Sequence, residues 1–218
     1  MMNRNSNTDS ELVIGIVSPV GTNSSEIKTC IIDSLNKFSY KSNMIKVSEH
    51  ILSKFVSKLP DFSGNEYNRI SFFMDKGNEI REKTQDAAIL MKGVAAFIFD
   101  NYRMDNEGPQ ARNAYIIDSI KHPDEVEFLR NTYGEGFHLI GISDTYERRK
   151  KYLVSRKGMS EENALTILNR DNNEKEKTAS IQEMCISRQI ILLVRGMALR
   201  KHRRIYFGFW IYCLAIHL

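Results

Sequence analysis

The sequence predicts an α/β fold built on a mainly parallel sheet, and three features carry that prediction. Short apolar runs without alternation recur, amphipathic helical stretches separate them, and Pro, Gly and acidic residues mark the joints. Leu12–Val17 is one such run and reads as a strand buried on both faces. A helix from about 25 to 38 follows, with Ile27, Cys30, Ile31, Leu35 and Phe38 at helical spacing. A second strand is expected near 43–47, leading into a helix with Ile51, Leu52, Phe55, Val56 and Leu59 on one face. From about 66 to 102 a long helix is expected, kinked at Gly77 or near Thr84. Ala114–Asp118 and Phe137–Ile142 read as further buried strands, with a short helix opened by Pro123, Asp124 and Glu125 between them. Asp144, three residues before Glu147, predicts a capped helix over 145–155. Gly158 ends that helix and Ser160 caps another, to about Arg170.

Composition sets the class. With 218 residues, 42% hydrophobic and 27% charged, the chain has the make-up of a folded soluble domain. Residues 1–10 read as a flexible polar leader, 11–177 as the domain, and 178–218 as a basic, apolar tail. The net charge of +4 belongs to that tail, which holds six basic residues and one acidic. The chain's 31 basic and 27 acidic residues thus leave 25 and 26 for the body, so DNA or RNA is not an expected partner. The polar start, with no apolar run after Arg4, argues against a signal peptide. Cys30, Cys185 and Cys213 are odd in number and far apart, which fits a reducing cytoplasm.

In a parallel sheet, ligands sit beyond the carboxyl ends of the strands, so the loops after Val17 and Asp118 are the places for function. Ser18, Pro19, Val20, Gly21, Thr22, Asn23, Ser24 and Ser25 join the first strand to the first helix. A phosphate loop reads G-x-x-x-x-G-K-[ST] at this place. Here Ser18 and Asn23 stand at the glycine positions, Ser24 at the lysine, and Ser25 keeps the hydroxyl. Gly21 still allows a tight turn. The loop reads either as the remnant of a P-loop in a nucleotide-kinase-like three-layer fold, which would bind a nucleoside triphosphate with magnesium but lacks the lysine that neutralises phosphate, or as an ordinary strand–turn–helix joint built from Pro, Gly, Thr and Ser. Asp118 is the strand-end acid that would attend magnesium; equally, it caps its own turn. Arg81 is a candidate for a substrate phosphate, and Arg148, Arg149, Arg156 and Arg170 lie on a helix–turn–helix laid out like a kinase lid.

No catalytic or metal site is expected. Zinc deamination needs His/Cys-x-Glu followed by Pro-Cys-x-x-Cys, and the sequence holds no Cys-x-x-Cys. The five histidines are scattered, and no nucleophile–histidine pairing stands out.

Four stretches together resemble the N-terminal P-loop domain of the bacterial two-domain dCTP/dCMP deaminases of phage defence. They are Glu11–Gly15 with Pro19–Thr22, Gly77–Arg81, Ile120–Arg130, and Tyr152–Glu162 through Asp171. The last third is also similar to the lid of dephospho-coenzyme-A kinases. The resemblance spans roughly 10–177 and implies a cytoplasmic defence protein that depletes deoxycytidine nucleotides, with this domain sensing nucleotide. It further implies that the zinc chemistry belongs to a deaminase domain outside this region, supplied in trans, alongside further copies of the chain. Deamination by this chain alone is not expected. An active deoxynucleotide or dephospho-coenzyme-A-type kinase is the second reading, against which Ser24 argues. A tail anchor is the third, but the apolar run 205–218 has 14 residues where a spanning helix needs about 20. From about Thr178 the composition breaks, and a translation out of the ancestral frame, replacing a final strand, is the expectation there.

Overall fold

The computed structural model of the chain describes residues 10–104, 109–177 and 190–194. Among these, five strands form one parallel sheet in the order β2-β3-β1-β4-β5. The strands are β1 (Leu12–Val17), β2 (Lys41–Lys46), β3 (Asn113–Ile120), β4 (Phe137–Ser143) and β5 (Ile190–Val194). The helices are α1 (Ser25–Lys37), α2 (Glu66–Thr84), α3 (Ile89–Ile98), α4 (Pro123–Tyr133), α5 (Tyr146–Lys157) and α6 (Glu161–Lys177).

Two apolar layers flank the sheet, which is why its strands are apolar throughout. Leu12, Ile14 and Ile16 of β1 pack with Ile27, Ile31 and Leu35 of α1 on one face. Val13 and Val17 face the other way, against Leu90, Met91 and Val94 of α3 and Val126 and Leu129 of α4. The path from β1 to β2 and the path from β3 to β4 cross the sheet in opposite directions, with α1 and α4 on opposite faces. Both crossovers therefore have the same hand, as a twisted parallel sheet requires. Gly15 lies at the centre, where an added Cβ would sit 2.4 Å from Ile120 Cδ1 and 3.1 Å from the Phe137 ring. Only glycine leaves room for that packing.

A third apolar cluster ties α5 and α6 to the mouth of the sheet. Leu153, Met159, Ala164, Ile167 and Leu168 pack together, with Val20 of the first loop and Tyr67, Ile70 and Met74 of α2 against them. The α5–α6 hairpin thus sits over the carboxyl end of β1 instead of covering a sheet face.

Several expectations need correction. The helix expected after β2 is a turn of π-helix over Val47–Ile51 followed by a 3-10 turn over Leu52–Phe55. Val47, Ile51 and Leu52 are buried, whereas Phe55 and Leu59 are exposed, so the anchoring ends at Leu52 and a longer helix gains nothing. The long helix over 66–102 is two helices, α2 and α3, and Gly77 lies within α2. The break comes beside Thr84, one of the two places expected, at Gln85, whose φ of 52° caps α2 in the left-handed conformation. Thr145, not Asp144, caps α5, its side chain accepting from Arg148 N. α6 continues past Arg170 to Lys177. Residues 190–194 of the segment read as a tail form β5, which pairs in parallel with β4, Leu139 opposite Ile190 through Ser143 opposite Val194. Residues 178–189 and 195–218, including the apolar run 205–218, lie outside the described residues. Among those described, no helix is long and apolar enough to cross a membrane.

Candidate functional site

A cavity of about 590 Å³ opens at the carboxyl ends of β1 and β3, between α2 and α6. This is the size range of small-molecule sites. Its apolar wall includes Ile70, Phe73 and Met74 of α2 and Leu90 of α3. Its polar rim includes Ser18, Asp118, Lys121, Arg81 and Asp171. Of the residues expected at a site, the cavity brings together Ser18, Val20, Asp118 and Arg81. Pro19, Gly21, Thr22, Asn23, Ser24 and Ser25 lie in the loop behind it, and Arg148, Arg149, Arg156 and Arg170 are not on its wall.

The loop is a tight turn, and three of its backbone donors are engaged. Thr22 N donates to Pro19 O across the turn at 3.2 Å, with Gly21 at φ 82° in the third position. Ser25 N donates to Asn23 Oδ1 at 3.3 Å, and Val20 N donates to Asp171 Oδ2 at 3.2 Å. Gly21 has a second role. A Cβ there would lie 3.1 Å from the Arg149 carbonyl and 3.2 Å from Leu153 Cδ1, so its absence is what lets α5 rest on the loop.

Cations surround this loop although Ser24 holds the lysine position. Lys121 Nζ donates to Ser18 O at 2.9 Å. Arg149 Nε donates to Val20 O at 2.7 Å, and its Nη2 donates to Asp171 Oδ2 at 2.8 Å. The Arg149 and Asp171 side chains are 7% and 6% exposed, so this ion pair is buried. Burial pushes the Arg149 guanidinium below its ordinary pKa, against the pull of Asp171. Lys28, one helical turn into α1, pairs with Asp118.

Arg81 reaches from α2 to α4, where its Nη2 donates to Glu125 Oε1 at 2.7 Å. Glu125 is fully buried, and its other oxygen accepts from Lys121 N at 2.7 Å and His122 N at 3.1 Å. The sequence Lys121-His122-Pro123-Asp124-Glu125 closes a capping box in which His122 is the cap and Glu125 reaches back. One carboxylate thereby starts α4 and fixes an arginine on the cavity wall. Gly77 makes room: a Cβ there would lie 3.3 Å from Arg81 Nη1. Arg81 Nε is buried and has no partner.

The other arginines serve the hairpin. Arg170 joins α6 to α2 through Asp75 at 2.7 Å and also bonds Glu174 at 2.9 Å. Arg148 and Arg156 are exposed on α5. Lys28, Lys121, Glu125 and Asp171 were not singled out from sequence as site residues. The capping signal around Pro123 was the one local hint, pointing to Glu125 as a helix start without revealing Arg81 as its partner.

The two groups expected to attend magnesium are both engaged by neighbours. The Ser25 hydroxyl donates to Asn23 Oδ1 at 2.6 Å, and the Asp118 carboxylate is neutralised by Lys28. Among the described residues, no group of three or more His, Cys, Asp or Glu is gathered for a metal.

No family model matches the chain, and no curated protein matches it. Solved structures do. TT1252 from Thermus thermophilus aligns over 93% of this chain and 98% of its own, at 12% identity and a TM-score of 0.50. A gluconokinase from Sinorhizobium meliloti 1021 aligns over 95% and 96%, at 10% identity and a TM-score of 0.50. A dephospho-CoA kinase from Campylobacter jejuni aligns over 92% and 97%, at 16% identity and a TM-score of 0.40. The chain has the α/β fold of P-loop kinases.

Proposed function

We propose that this domain binds a nucleotide without transferring its phosphate, and that it is the sensing half of a deoxycytidylate-deaminase system of phage defence. The cavity carries the first part of this reading. Its apolar wall at Phe73 and Met74 suits a nucleobase, and Arg81 and Lys121 on its rim suit phosphate. The lost lysine at Ser24 and the neutralised Asp118 favour binding over turnover. The deaminase context is supported by the resemblance of the Ile120–Arg130 and Tyr152–Asp171 stretches. Zinc hydrolysis then belongs to another domain or chain, since the sequence holds no Cys-x-x-Cys.

Calorimetric titration with dCTP, dCMP and ATP tests this reading. A deoxycytidine nucleotide should bind, no phosphate should be released, and neither dCTP nor dCMP should be deaminated by this chain. Ser24→Lys should tighten binding by about tenfold, the worth of one charge-assisted hydrogen bond to phosphate. Absence of binding by all three nucleotides would leave the domain a scaffold. An active deoxynucleotide or dephospho-coenzyme-A-type kinase is the second reading, favoured by the cations Lys28 and Lys121 beside the loop. ATP consumption with any nucleoside, nucleotide or dephospho-coenzyme A would establish it over the first.

A further inference from the structure

Val20 has both its backbone groups held by a single buried ion pair. Its N–H donates to Asp171 Oδ2, its carbonyl accepts from Arg149 Nε, and Arg149 Nη2 donates to the same Asp171 oxygen. Val20 and Asp171 are 151 residues apart in sequence, so this contact exists only because the hairpin is seated on the loop. A loop amide and a guanidinium converging on one carboxylate oxygen form the donor set that recognises a phosphate oxygen. Two residues on in the same loop, Thr22 Oγ1 is shut off from solvent and has no hydrogen-bond partner. A buried hydroxyl left without a bond costs free energy until a ligand oxygen or water meets it.

We propose that Asp171 is a built-in competitor for an anionic ligand, occupying the donors of the first loop until a polyphosphate displaces it and releases α6 from the loop. This inference rests on the nucleotide-binding reading and specifies its regulation. The loop's Val20 N–H and Arg149 then serve the ligand only after Asp171 withdraws. Binding and the withdrawal of α6 are therefore one coupled event, and the energy of the Asp171 contacts sets the threshold for response.

Titration of the full chain and its Asp171→Asn variant with inorganic tripolyphosphate and with dCTP tests the inference. The variant keeps the side chain's shape and loses the competing charge. It should bind tripolyphosphate at least about tenfold more tightly than the wild type, and melt at a lower temperature when free because Arg149 loses its counter-charge. A purely structural Asp171 would lower the melting temperature and leave affinity unchanged. Equal or weaker affinity in a cooperatively melting variant, or no tripolyphosphate binding by either protein, overturns the inference. If the variant does not fold, nitrogen-15 shifts of Val20 N–H and Arg149 Nε–H in the wild type decide instead: both should move on adding tripolyphosphate, and stationary resonances overturn the inference. Tighter tripolyphosphate binding with dCTP no better than tripolyphosphate would retain the competitor and remove the nucleotide reading. Wild-type dCTP binding that Asp171→Asn fails to tighten would do the reverse.

Discussion

Replacing Glu125 with Gln should destabilise the domain by about 3 kcal/mol, an effect built from its three hydrogen bonds. The carboxylate is fully buried and accepts from Arg81 Nη2 at 2.7 Å, Lys121 N at 2.7 Å and His122 N at 3.1 Å. Glutamine offers one acceptor oxygen and one amide donor. With the oxygen turned to the two backbone N–H groups, its NH2 faces the Arg81 guanidinium, donor against donor. The reverse orientation sets the NH2 against the start of α4. A lost bond to a charged group costs about 1.5–3 kcal/mol, and breaking a fully buried pair about 3–5 kcal/mol. Arg81 is 17% exposed and recovers some hydration, which places the sum between these ranges. For a chain of this length, about 3 kcal/mol lowers Tm by roughly 6–12 °C. Urea titration followed by circular dichroism measures it. Arg81→Met should relieve much of the Glu125→Gln cost, because the opposed donor is gone, so the double variant should lose less than the sum of the two singles. A loss below about 1 kcal/mol for Glu125→Gln, or strict additivity, would refute the view that one buried carboxylate couples α2 to α4.

Three other outcomes follow from the same geometry. Gly21→Ala adds a Cβ at φ 82° within 3.1 Å of the Arg149 carbonyl and should cost about 1–2 kcal/mol in backbone strain alone, with faster amide exchange in α5; wild-type stability and exchange would show that α5 does not rest on this residue. Burial lowers the His138 pKa from 6.5 to about 4, so the unfolded chain takes up a proton that the folded chain refuses as pH falls through that window. Stability should therefore drop by up to about 3 kcal/mol between pH 6.5 and 4, and His138→Leu should flatten that part of the pH profile; an unchanged slope in denaturation midpoints would place the acid sensitivity elsewhere. Lys28 supplies the positive charge on Asp118, so chelation with EDTA should leave dCTP affinity unchanged in the wild type, while Lys28→Met should make binding depend on added magnesium; magnesium dependence in the wild type would contradict the assignment.

The sequence alone determined the frame of this protein. β1, α1, β3, α4 and β4 stand close to where apolar runs, helical spacing and capping residues placed them, because those signals arise from neighbours within a few positions. The place of the candidate cavity was legible, at the carboxyl ends of β1 and β3, and Ser18, Val20, Asp118 and Arg81 lie on its wall. What the remaining loop and lid residues do was not legible. Gly21 allows the tight turn expected of it, and its missing Cβ also accommodates Arg149 and Leu153; Arg149, read as one of four lid arginines, is buried against Asp171. The partners that decide these roles lie 22 residues apart for Arg149 and Asp171, 44 for Arg81 and Glu125, 90 for Lys28 and Asp118, and 151 for Val20 and Asp171. No local pattern encodes such pairs. They form because crossovers of one hand return the ends of β1 and β3 to the same edge and the α5–α6 hairpin closes over them, excluding water and leaving each charge to the partner that packing brings within reach.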